Sequence, residues 1–143
     1  AWTGGTWQNA SKYRCYDIKQ WQPIFDSFDA HWVSLQYKDA SKEIAGTPVV
    51  QYPWGTLTKD YDDTAAMVAA LDCVISVPTA VVHLAGALGT PTIAMMASKP
   101  CWKFAGGLQW HPNVKLIPNN GDWAKTVKDT AASIRQFLTD SKR

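Results

Sequence analysis

Cysteine is scarce in this chain of 143 residues: Cys15, Cys73 and Cys101 are an odd number, far apart, with no Cys-x-x-Cys. That argues against a disulfide framework and a zinc site, and it fits a reducing, cytoplasmic compartment. Histidine is as rare, and His31, His83 and His111 stand at no metal-ligand spacing, so no protein-bound metal is expected. No apolar run approaches the length of a membrane span, and the N-terminus lacks a signal peptide's charged and apolar regions. An excess of one charge is missing too: 14 Lys and Arg against 12 Asp and Glu leave +2. Lys142-Arg143, the nearest thing to a basic cluster, reads as a solvated end and not as a nucleic-acid footprint. G-x-G-x-x-G is absent, which disfavours a redox dinucleotide domain.

What is present is enough apolar material for one globular domain over 1–143, with 46% of residues hydrophobic and 18% charged. Strands and helices alternate along it. Ala1-Trp2-Thr3 reads as the last residues of a strand, so the domain is expected to be a fragment of a longer chain with its first strand truncated. Gly4 to Tyr13 is a polar loop. Asp17 is placed to cap a helix carrying Ile18, Trp21, Ile24, Phe25 and Phe28 at helical spacing, with a bend or later start imposed by Pro23. Strands are expected at His31 to Gln36, Val49 to Tyr52, Cys73 to Val77, Thr92 to Met96 and Val114 to Ile117. Asp62-Asp63-Thr64 opens a helix running to Leu71, and Asp122 caps a terminal amphipathic helix. This alternation predicts an α/β fold: a three-layer α/β/α sandwich on a doubly wound, mostly parallel sheet, with ligands at the carboxyl ends of the strands.

The most informative stretch is Leu71 to Pro91. Cys73 to Val77 is a short β-branched run suited to a strand covered on both faces. Pro78 stops it, Thr79 is placed to cap the next helix, and Gly89 closes that helix. A helix start at the carboxyl end of a parallel strand favours anions, which points to a phosphate-bearing ligand. The hydroxyl of Thr79 with the N–H groups of Ala80 and Val81 could hold a diphosphate, or could be an ordinary helix cap. His83, one turn on, is either a donor to a phosphate or sugar oxygen or a half-buried packing residue. Arg14 is either a bidentate phosphate clamp or a solvated loop charge. Gly4 and Gly5 permit close backbone approach or simply a turn. Among the eight tryptophans, Trp21 and Trp123 read as core seals. Trp102 and Trp110 could stack on a sugar or base, and for them the choice stays open.

Taken in order, these residues resemble a known family. Ser76 to Pro91 follows the pattern Ser-Val-Asp-Thr-Ala/Gly-x-x-His-x-Ala-Gly-Ala-Leu-Gly-x-Pro apart from Pro78. Asp63-Thr64-Ala65-Ala66, Val33-Ser34-Leu35-Gln36 and Trp110-His111-Pro112 with Val114 to Pro118 and Gly121-Asp122-Trp123 also match. The chain is similar to the C-terminal, donor-binding half of a GT-B glycosyltransferase of the heptosyltransferase-like kind, including relatives fused to tetratricopeptide repeats.

The resemblance implies a Rossmann-like half of a GT-B fold that holds a nucleotide-diphosphate sugar for transfer to an acceptor hydroxyl, without metal or cofactor. It implies that Thr79, Ala80 and the helix start bind the diphosphate, with Val81 and His83 beside them. Arg14 would contact phosphate, and Gly4, Gly5 and Thr6 would form the adjoining loop. Gln36 and the end of the third strand near Tyr52 would border the nucleoside. No catalytic residue is expected in this fragment, because the acceptor-binding domain would supply the base. Pro78 stands where the family has Asp, which leaves open a noncatalytic nucleotide-sugar-binding module. An epimerase or hydrolase of similar architecture is the third alternative.

Overall fold

Two short helical pieces stand where one helix is expected after Asp17. The computed structural model describes residues 1–4, 15–96, 104, 110–119 and 121–140. Asp17 does act as a cap, its carboxylate accepting from the Lys19 N–H at 2.9 Å, but the turn it starts is a 3₁₀ helix over Ile18–Trp21. Helix α1 (Gln22–Phe25) follows, with Pro23 in its first turn, where a missing N–H removes no helical hydrogen bond. Then come β1 (Trp32–Val33), α2 (Ser41–Ile44), β2 (Val49–Val50) and α3 (Pro53–Thr56). Helix α4 (Tyr61–Ala69) is capped by Asp60, which accepts from the Asp62 N–H, while Asp62 and Asp63 lie in the first turn against the helix dipole. The remainder is β3 (Val74–Ser76), α5 (Ala80–Leu88), β4 (Thr92–Met95), β5 (Val114–Ile117) and α6 (Trp123–Asp140). Asp122 starts α6 by accepting from the Lys125 N–H at 3.0 Å. Gly89 ends α5 in the left-handed conformation at φ 78°, as its position predicts.

Every strand pairing among the described residues is parallel. β1 pairs β2 with Trp32 opposite Val49; β4 lies between β3 and β5, with Val74 opposite Thr92 and Thr92 opposite Val114. Except in β5, the paired spans are shorter than the runs that predicted them. The Ala1 nitrogen donates to Ile75 O and Ala1 O accepts from Val77 N, both at 3.0 Å. That is the hydrogen-bond pattern of a parallel ladder with Ala1 opposite Ser76, and it places Ala1 beside β3.

β4 shows how the core is divided. Ile93 and Met95 pack with Ile24, Phe25, Val127 and Ile134, from α1 and α6. Ala94 packs on its other side with Val82 of α5 and Phe104. A second set, Met67, Val68, Val74 and Ala85, joins α4 and α5 to β3. All four β4 residues are buried, which is why this strand is apolar without alternation. Trp21 is buried as expected, and Trp123 packs at the edge with its ring 4.5 Å from that of Tyr16. Trp110 is 68% exposed. Among the described residues, no helix is long and apolar enough to cross a membrane.

Candidate functional site

The turn between β3 and α5 differs in one respect from its expected form. Thr79 occupies the cap position with extended backbone, but its side chain makes no cap hydrogen bond. Ser76 Oγ donates to Val77 O at 2.7 Å, so its proton is committed there. The Thr79 hydroxyl, 3.1 Å from Ser76 Oγ, therefore donates to Ser76. That contact turns the Thr79 side chain toward Ser76, and it accepts from none of the free N–H groups of the helix. Thr79 is thus the N-cap residue by position, as expected, but its side chain leaves the first turn of α5, at Ala80 and Val81, without an acceptor. Ala80 is exposed, whereas Val81 is half-buried and its side chain packs in the core beside α4.

Gly4 comes directly against this turn. A Cβ at Gly4 would lie 2.3 Å from Thr79 Cγ2 and 3.7 Å from Pro78 O, so glycine is what lets the two backbones meet. The path of residues 3 and 4 is set by Trp2, which is buried and donates its indole N–H to Glu43 at 2.8 Å. Glu43 also pairs with Lys38 at 2.7 Å. Burial pushes the Glu43 carboxyl up, but the hydrogen bonds from Lys38 and Trp2 outweigh it and hold the group below its ordinary value. We expect Gly4→Ala to cost about 1–3 kcal/mol in urea unfolding. Thr79→Ser, which deletes the methyl and keeps the hydroxyl, should recover most of that in the double variant. A double variant no more stable than Gly4→Ala would mean that the methyl is not what fills the space.

Gln36 completes the group. It lies just beyond β1, is wholly buried, and donates through Nε2 to Thr3 Oγ1. Its own carbonyl accepts from Gln51 Nε2 at 3.2 Å, which fixes the backbone. Its Oε1 is buried with no hydrogen-bond partner among the described residues. A buried, unpaired amide oxygen costs about 1–3 kcal/mol, so its retention needs a reason. The ends of three neighbouring segments thus meet: Gln36 after β1, Thr3-Gly4 after the first residues, and Ser76 to Thr79 after β3.

The other predicted residues divide. His83 stands one turn into α5, half-buried, its ring 5.7 Å from Phe104 and 5.9 Å from His111. The His111 ring lies on Gly86, where a Cβ would be 2.4 Å from it. Tyr52 directs its hydroxyl to His31 Nε2 at 3.0 Å, with its ring 5.8 Å from Trp54. Gly5, Thr6 and Arg14, with Trp102, lie outside the described residues. Among the described residues no group of three or more His, Cys, Asp or Glu could hold a metal ion.

Sequence reasoning missed Tyr16 and Asn119. Tyr16 OH donates to Met96 O at 3.1 Å, just past β4, and accepts from Asn119 Nδ2 at 2.6 Å, just past β5. The bond extends the polar row across the carboxyl ends of the remaining strands. No local signal marks it, because the partners are 80 and 103 residues apart.

Against this geometry stand the comparisons with known proteins. Protein FlbA of Caulobacter vibrioides is 35% identical over 140 residues, which takes in 90% of this chain. The chain spans 23% of the length of FlbA. No protein-family profile and no solved structure matches the chain.

Proposed function

We propose that the chain is a donor-binding domain of a glycosyltransferase, built as a three-layer α/β/α sandwich. It holds a nucleotide-diphosphate sugar at the carboxyl ends of its strands for transfer to an acceptor hydroxyl. The observation that carries this reading is the meeting of Gly4 with Thr79 beside the buried, unpaired Gln36 Oε1. Counting residues 1–3 as a strand, the hydrogen bonds of Ala1 and the Thr3–Gln36 contact suggest the order β2, β1, 1–3, β3, β4, β5. In such an order the chain reverses between the first segment and β3, and ligands of open parallel sheets bind at that reversal. Gly4 and Thr79 stand at this point.

In this reading the diphosphate lies at the start of α5, where N–H groups and the helix dipole stabilise the charge that builds on the leaving group. The Gln36 amide accepts from a hydroxyl or N–H of the nucleoside, and Arg14 supplies a second phosphate contact. The acceptor-side base comes from a separate acceptor-binding domain, so this chain alone binds donor with negligible transfer. Pro78, buried where the family has Asp, favours one second reading, a module that binds a nucleotide sugar without turnover.

Calorimetric titration with a panel of nucleoside diphosphates and the matching monophosphates tests the site. Diphosphates should bind about tenfold more tightly, since a charge-assisted hydrogen bond contributes roughly 1.5–3 kcal/mol. Arg14→Ala should remove that preference. Gln36→Leu deletes both the unpaired oxygen and the donor to Thr3, so its unfolding temperature should change little, yet it should bind at least tenfold more weakly. Equal affinity for both phosphates, or unchanged binding by Gln36→Leu, counts against the proposal. Joining the chain to a matching acceptor domain and screening glycan and peptide acceptors separates transferase from binding module.

A further inference from the structure

Where α1 packs beside α6, an open groove of about 680 Å³ runs between the two. Its apolar lining is Pro23 from α1 and Ala124, Val127 and Ala131 from α6. At one end the Trp123 indole N–H donates to Gln20 O at 3.2 Å. At the other the Arg135 guanidinium lies 5.4 Å from the centre of the Phe28 ring, which holds it in place. Between Trp123 and Arg135 the helix rises about 18 Å. Three exposed cations, Lys19, Lys128 and Arg135, line the groove, and no carboxylate does. None of the three takes part in an ion pair among the described residues. The carboxylates close to them in sequence are bonded elsewhere: Asp17 accepts from the Lys19 N–H, Asp26 from Gln22 Nε2, Asp122 from the Lys125 N–H and Asp129 from Lys125 Nζ.

We propose that this groove docks an amphipathic helix of a partner protein, apolar along its inner stripe and acidic along both flanks. Charge complementarity sets the sign: a rim of three cations with no internal counter-charge steers and orients a segment that brings carboxylates. The lining sets the form. Helical turns wall the groove, so an extended peptide would find no sheet edge for its backbone N–H and C=O groups, whereas a helix bonds its own. Ala124 and Ala131 keep the α6 ridge low, which lets a second helix approach closely. Lys128 and Arg135 stand seven residues apart, two helical turns, so carboxylates seven apart on a helix laid alongside α6 fall in register with them. The groove shares no lining residue with the Gly4–Thr79 turn, and the inference stands independently of the nucleotide reading.

The probe is a fluorescein-labelled, amidated peptide of two Glu-Ala-Leu-Glu-Glu-Leu-Ala repeats, which carries such a stripe and such flanks. Titrated with the full chain in fluorescence anisotropy, it should bind at least roughly tenfold more tightly than the same peptide with lysine for glutamate. Lys19→Glu with Lys128→Glu alters exposed side chains that no ion pair holds, and it should remove or invert that preference. Ala124→Trp keeps every charge but fills the groove from an exposed position. It should unfold within about 2 °C of the parent yet weaken the acidic peptide at least roughly tenfold. A peptide of the same composition with leucine and glutamate scrambled off their faces should bind as weakly as the lysine peptide. Equal affinity for the acidic and lysine peptides, unweakened binding by both variants, or tighter binding to phosphatidylserine vesicles than to the peptide would overturn the proposal.

Discussion

A polypeptide that begins at Ala1 should gain about 4 kcal/mol of stability as the pH is raised from 5 to 8. Its α-amine is buried, and burial lowers its pKa from 8.0 to about 5. Below pH 5 the amine is protonated in both the folded and unfolded chain, and the cost of a buried ammonium is present in full. Between 5 and 8 the unfolded chain holds a proton that the folded chain has released, so stability climbs with pH. Above 8 both are neutral and the gain is complete. Four other shifted groups, Asp39, Glu43, Lys38 and Lys125, act outside this window. Asp39 and Glu43 are held below their ordinary values, so their contribution is lost only on further acidification. Lys38 and Lys125 are raised, so theirs is lost only above the ordinary lysine value of 10.5. Urea unfolding at pH 5, 6, 7 and 8 measures the slope. One residue added ahead of Ala1 should flatten it, and a slope that survives that addition would assign the effect to another group.

The second large effect is expected at Ile93. This residue is fully buried in the middle strand of three, in the cluster that joins α1 and α6 to the sheet. Ile93→Ala removes three carbons between the sheet and the α1 and α6 side chains, and the ladders with β3 and β5 hold β4 from moving out to fill the space. A loss of about 2–5 kcal/mol is expected, against about 1 kcal/mol for Ile93→Val. Val50, 39% exposed in β2, serves as the control, and its alanine variant should lose less than Ile93→Val. Similar losses at Ile93 and Val50 in denaturant unfolding would show that β4 does not form the rigid centre described here.

Much of the fold is legible in local sequence because its causes are local. β5 begins and ends where its apolar run does, and α5 ends at the glycine that can adopt positive φ. The caps at Asp17 and Asp122 follow from a carboxylate two or three residues ahead of free N–H groups. Where local reasoning failed, two local solutions compete. Asp60 and Asp62 can each cap α4, and the chain uses Asp60. Thr79 takes the cap position as expected, but its side chain bonds to Ser76 and to no N–H of the first turn. The single helix expected over residues 17–28 divides at Pro23, which the sequence marks without saying how the chain divides.

By itself the sequence determined the alternation of strands and helices, the parallel α/β class, the buried character of β4 and the position of the β3–α5 turn. These follow from periodicity, β-branching and turn chemistry, all of which act over a few residues. Tertiary structure alone decided that Gly4 lies against Thr79, that Gln36 is buried with one oxygen unpaired, and that Tyr16 joins the ends of β4 and β5. It alone decided too that a cavity lies between the residues of β1 and those at β3. The reason is that each of these depends on how segments tens of residues apart are brought side by side by packing. A hydrogen bond or a steric contact across that distance leaves no pattern in the order of residues along the chain.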